Sequence, residues 1–152
     1  IRFPPELVTR EAMLELLEAR KALETSNAAI AAVKRTDADL ALFATILERM
    51  GNHLGDERIG ETTDLQFHLA LAESTHNRVM VKLLQTISRQ MEAAIRETRR
   101  QHLYGDRSRA ERLWREHRRI YEAIRQQDPT HAREMMEAHL LHVEQMLMDK
   151  MN

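Results

Sequence analysis

The chain has 152 residues, enough for one domain and too short for two ordinary ones. With 43% hydrophobic and 31% charged residues it is a globular mixture, and 4 Gly, 3 Pro and 4% aromatics argue against an all-β, collagen-like or disordered chain. Zero cysteines exclude disulfides, Cys-ligated zinc and a thiol nucleophile, while 23 basic against 24 acidic residues create no global field for nucleic acid.

No stretch approaches the roughly 18 apolar residues of a membrane span, and the start IRFPPELV lacks a signal-peptide pattern. A cytoplasmic protein without membrane contact is the expectation. The beginning at Ile1, followed by Pro4-Pro5, reads as a cut inside a linker and so as a fragment.

Punctuation divides the chain into about six helical runs. The first is expected from about Glu6 to Arg35, with Met13, Leu16, Leu17, Leu23, Ile30 and Val33 on its apolar side. Thr25-Ser26-Asn27 is a weak stretch expected to bend or break it. Thr36 caps a second helix, with Asp39 three residues on to close a box, and Leu40, Phe43, Ile46, Leu47 and Met50 follow. Three of the four glycines, Gly51, Gly55 and Gly60, fall within ten residues and predict the main flexible loop. A third helix is expected from about Glu61 to Glu73, and Asn77 caps a fourth that ends at Gly105-Asp106. The fifth begins near Ser108 and stops at Asp128-Pro129, where Pro129 opens the sixth.

The informative residues are polar ones on faces that should be buried. In DLQFH, Asp64 and His68 stand one turn apart on one face, where they can share an ion or a local hydrogen bond. His117 lies on the stripe of Leu113, Trp114, Ile120, Tyr121 and Ile124, and His139 lies four residues from both Met135 and Val143. An unpaired polar ring in an apolar core costs about 1–3 kcal/mol, so each needs a partner. A shared divalent metal at Asp64, His68, His117 and His139 is one solution, and separately satisfied core residues are the other. Spacing alone does not choose between them. Three imidazoles and a carboxylate favour Zn, with Ni, Mn and Fe also compatible.

His142 follows His139 by three and is a candidate to support the same site or contact its ligand. Arg20, at the edge of the first stripe, is either a snorkelling surface residue or, turned inward near a metal, a fork for a carboxylate. His53 in the glycine loop, His76 in a turn, and His102 and His131 near helix ends are explained by solvent or helix termini. Nine arginines from Arg96 to Arg119 are interleaved with Glu97, Glu111 and Glu116, which reads as a salt-bridged surface. No spare Glu or Asp reads as inward, which counts against a metal-dependent hydrolase or oxygenase because the site would lack a general base.

The segments EARKALE, TDADL, DLQFHLALAESTHN, EHRRIYEAI and AHLLHVE, in this order over nearly the whole chain, resemble the effector-binding C-terminal domain of FadR-type GntR transcription regulators. The resemblance implies an all-α, antiparallel bundle of six to seven helices around a cavity, with a divalent metal on Asp64, His68, His117 and His139. It also implies a small carboxylate effector bound between the metal and Arg20, with Asn77 facing the cavity. The THN form at Thr75–Asn77 looks most like the branch responding to lactate, glycolate and pyruvate. On this reading residues 1–152 are one effector-binding and dimerisation domain, not an enzyme. The intact regulator is a homodimer that meets operator DNA only through an N-terminal winged helix-turn-helix, a part this chain does not include. Thr25-Ser26-Asn27 departs from the family's bulkier residues there. A metal-dependent enzyme and a purely structural dimerisation module are the competing functions.

Overall fold

A computed structural model describes residues 10–98 and 103–150. These form six helices: α1 (Arg10–Lys34), α2 (Asp37–Gly51), α3 (Glu57–Glu73), α4 (Arg78–Thr98), α5 (Arg107–Arg125) and α6 (Pro129–Lys150). No strand occurs among the described residues, so the all-α expectation holds. The expected starts at Glu6 and the position of His102 lie outside the described residues.

Caps fix the boundaries. Thr36 Oγ1 accepts from the Asp39 amide at 3.1 Å while Asp39 Oδ2 accepts from the Thr36 amide at 2.9 Å, the reciprocal box that starts α2. Asp56, Asn77, Asp106 and Asp128 use side-chain oxygens in the same way at the starts of α3, α4, α5 and α6.

Two local expectations are corrected. First, α1 runs unbroken through Thr25-Ser26-Asn27. Thr25 Oγ1 donates to Lys21 O at 2.7 Å, and Asn27 and Ala28 are completely buried, so tertiary packing outweighs weak propensity. Second, the glycine cluster is mostly helix. Gly51 ends α2 and Gly60 lies inside α3, which therefore begins at Glu57 rather than Glu61. A Cβ on Gly51 would meet the Trp114 ring at 2.7 Å, and one on Gly60 would meet Tyr104 at 2.4 Å. Both are places where an aromatic side chain lies against helix backbone. Only Gly55, at φ 97°, serves the turn.

α1 is the central helix, packed most extensively on α6 and also against α3, α4 and α5. Its two halves belong to different apolar clusters. Ala28, Ala31 and Ala32 join Phe43, Phe67, Ile120, Ile124 and Met136 in the first. Met13, Leu16 and Leu17 join Met91, Tyr104, Leu113, Val143 and Leu147 in the second. The chain crosses from one cluster to the other between Leu17 and Ala28 on α1, Leu113 and Ile120 on α5, and Leu140 and Val143 on α6. His117 stands within the α5 crossing, and His139 directly precedes the α6 one. No helix among the described residues is long and apolar enough to cross a membrane.

Candidate metal centre

At this seam Asp64 and His68 of α3, His117 of α5 and His139 of α6 each offer one ligand atom, all within 4.8 Å of one another. The three histidines are buried, at 2%, 0% and 1% exposure. Their rings touch directly, with centroids 4.5 Å apart for His117 and His139 and 5.3 Å for His68 and His117.

Each ring is oriented by its Nδ1. His68 Nδ1 bonds Glu24 Oε1 at 2.5 Å, His117 Nδ1 donates to Leu113 O at 2.6 Å, and His139 Nδ1 bonds Glu116 Oε1 at 2.6 Å. A backbone carbonyl accepts and never donates, and so does an ionised carboxylate, so Nδ1 carries the hydrogen. All three Nε2 atoms therefore turn to the seam. Those of His117 and His68 lie 2.7 and 3.3 Å from Asp64 Oδ1. Nε2 of His68 and of His139 are buried without a hydrogen-bond partner. Orphaned imidazole nitrogens gathered round a carboxylate are what a bound cation would satisfy, and the oriented second nitrogens are the usual support of such a site. The residues fit a metal ion.

The charges are strongly coupled. Burial pushes the Asp64 carboxyl up, but the neighbouring His68 and the hydrogen bond from His117 outweigh it and hold it well below the usual range. Burial lowers His68, yet Glu24 and Asp64 raise it to about 9. Burial, with His117 and His68 nearby, drives His139 well below its ordinary value. Burial and the nearby Asp64 carboxylate push the Tyr104 phenol well up.

A cavity of about 460 Å³ opens beside the group. Its polar lining includes Arg20, Asp64, His68 and Tyr104, with Glu61 and Glu92 also on it, and Met91, Ile95, Leu113, Val143 and Leu147 are among its apolar walls. Arg20 has turned inward: its side chain is 16% exposed and Nε donates to Glu24 Oε2 at 2.6 Å, which leaves the Nη donors. His142 lies outside the cavity lining, with Nδ1 2.6 Å from Glu116 Oε2, the carboxylate that also holds His139. Its place is behind a candidate ligand. Asn77 is not brought to the cavity. It is exposed, and its Oδ1 accepts from the Val79 amide at 2.9 Å, so the α4 cap occupies it.

Glu24 and Glu116 overturn the expectation that no further carboxylate turns inward. Glu24 is 0% exposed and Glu116 11%. Burial pushes the Glu24 carboxyl up, but His68 and Arg20 outweigh it and hold it at about 2. The signal was legible: Glu24 lies on the α1 stripe of Leu17, Ala28 and Ala31, and Glu116 sits three residues after Leu113. Tyr104, placed by contact with Gly60, had no such signal. Among the described residues His53, His76 and His131 stay peripheral and exposed, His76 pairing with Asp39 at 2.8 Å and His53 with Arg49 O at 2.8 Å. Of the α5 arginines, Arg115 pairs with Glu111 at the surface, and the exposed Arg112 reaches the half-buried Glu116.

Residues 15–142 match the model of the FCD domain. The HTH-type transcriptional regulator LutR of Bacillus subtilis (strain 168) is 39% identical over 141 residues, covering 93% of this chain and 64% of LutR. The galactonate operon transcriptional repressor of Escherichia coli (strain K12) is 31% identical over 111 residues, covering 73% of this chain and 47% of the repressor. The chain thus spans less than two thirds of either relative. A solved structure of Streptococcus agalactiae GntR superposes with a TM-score of 0.70 at 27% identity, covering 88% of this chain and 58% of that one. The oriented histidines and the helical bundle accordingly have a family: this chain belongs to the FCD domain family.

Proposed function

We propose that residues 1–152 are the effector-binding and dimerisation domain of a GntR-type transcription regulator, in which Asp64, His68, His117 and His139 hold a divalent ion, Zn first and Ni, Mn or Fe next. The observation that carries this reading is the convergence of three Nδ1-anchored histidines on Asp64, with two Nε2 atoms orphaned. A divalent ion there supplies positive charge and an open coordination position to an anionic ligand. Arg20, on the lining of the same cavity, offers its Nη donors as a fork for a carboxylate. A 2-hydroxy or 2-oxo acid fits, since its second oxygen lies close enough to the carboxylate to reach the same ion. The galactonate repressor among the relatives supports an acid of this class.

In the whole protein, a homodimer would contact operator DNA through an N-terminal winged helix-turn-helix preceding this domain. The ligand acts there by favouring one arrangement of the helices over another. Glu24 is held by two donors and Glu116 is shared by His139 and His142, so neither of these two buried carboxylates stands free as a base.

Arg20→Ala tests the carboxylate assignment. Calorimetric titration with L-lactate and D-galactonate is expected to show loss of carboxylate binding with metal content unchanged. Unchanged affinity in this variant would remove Arg20 from the binding site.

A further inference from the structure

Glu24 neither borders the cavity nor belongs to the four candidate ligands, yet it touches a member of each set. Its enclosed carboxylate, 0% exposed, accepts from His68 Nδ1 on Oε1 at 2.5 Å and from Arg20 Nε on Oε2 at 2.6 Å. Arg20 and Glu24 are one turn apart on α1, and His68 comes from the neighbouring α3.

We infer that Glu24 is a positioning residue that couples the two halves of the site, so that a cation on the histidines and an anion on Arg20 strengthen each other through one carboxylate. The inference rests on the metal reading above. A carboxylate is a rigid plane, and rotation about its Cγ–Cδ bond moves both oxygens together. A cation drawing on the Nε2 lone pair of His68 polarises its Nδ1–H and strengthens the bond to Oε1. The plane is then fixed, and with it the direction in which the Arg20 Nη groups enter the cavity. In the other direction, an anion on those Nη groups weakens the pull of Arg20 on Glu24. More negative charge remains for His68, which becomes the better ligand. Both effects have one sign, and linkage makes them equal in size. Burial keeps solvent from screening them.

Zn2+ alone is the probe, with its affinity measured by chelator competition on the wild-type chain, Glu24→Gln, Arg20→Gln and the double variant. Glutamine presents one acceptor oxygen and one amide group to two donors, so one of the two bonds must be lost. Glu24→Gln should weaken Zn2+ by about 10–100-fold. Arg20→Gln, which frees Glu24 for His68, should tighten Zn2+ by about fivefold or more, and this gain should shrink in the double variant. Effects that simply add, or a Glu24→Gln chain that binds Zn2+ like wild type, overturn the coupling and leave the metal reading standing. A wild-type chain that binds no Zn2+ overturns both. Should Glu24→Gln fail to fold, the Arg20→Gln chain decides through the ring 15N signals of His68 in the Zn2+-loaded state. A changed Nδ1 signal supports the relay, and an unchanged one refutes it.

Discussion

The two apolar clusters share α1, α5 and α6, the first adding α2 and α3 and the second α4, and they solve opposite problems. The first interleaves Ala28, Ala31, Ala32, Ala70, Ala123 and Ala132 with Phe43, Phe67, Ile120 and Ile124, most of them at or near zero exposure. Alanines let helix backbones approach closely, and the aromatic and branched side chains fill what remains. The second uses Met13, Met91, Met148, Leu113 and Leu147, longer side chains that hold the helices apart around a cavity of about 460 Å³. Methionine adapts to irregular space. Stability is concentrated in the closed cluster and ligand space in the open one, and the histidines occupy the boundary, where a rigid floor meets room for a small molecule.

The largest expected effect lies in the closed cluster. Phe43 is fully buried, with ring centroids 5.2 Å from Phe67 and 6.0 Å from Tyr121. Phe43→Ala should cost about 3–5 kcal/mol in denaturant unfolding with metal affinity unchanged, whereas Leu147→Ala, on the cavity wall, should cost only about 2 kcal/mol. Equal costs would erase the distinction between the clusters.

The two helical glycines sharpen it. Gly51→Ala and Gly60→Ala each force a ring away from helix backbone, at about 1–3 kcal/mol. The ring against Gly51, Trp114, packs on the closed cluster, so that substitution should lower thermal stability alone. The ring against Gly60 is Tyr104, which lines the cavity together with Asp64, so Gly60→Ala should also weaken metal binding. Equal metal affinity in the two variants would show that Tyr104 has no part in the metal site.

The pH slope addresses the boundary between the clusters. His68 is raised to about 9, so with the metal stripped it is protonated below that pH. Its contribution to stability is complete below about 6.5 and lost as pH rises through about 9. Metal must displace this proton, so affinity should rise about tenfold per pH unit over that interval. A flat profile in chelator competition would mean that His68 is neutral before metal arrives.

The helices were legible because the periodicity of Leu113, His117, Ile120 and Ile124 on α5 and of Met136, His139, Leu140 and Val143 on α6 is simple and local. The same periodicity brought the candidate ligands to one face. What it missed depends on long-range contact. Glycine in sequence reads as a loop, and only the rings of Trp114 and Tyr104 explain Gly51 and Gly60 inside helices. Glu24 lies on the apolar stripe of α1, but only the arrival of His68 from α3 explains a carboxylate there. Asn77 serves as a helix cap, a role its position after Ser74-Thr75-His76 already suggested, and its placement in the cavity came from the resemblance alone.

The central claim is that the seam between the clusters is a metal site. Elemental analysis by mass spectrometry, on wild type and His117→Ala purified without added ions, tests it most directly. The wild-type chain should carry about one divalent ion, lose thermal stability when a chelator removes it, and keep none after His117→Ala. A metal-free wild type whose melting is indifferent to chelator, or a His117→Ala chain that retains its ion, would contradict the claim.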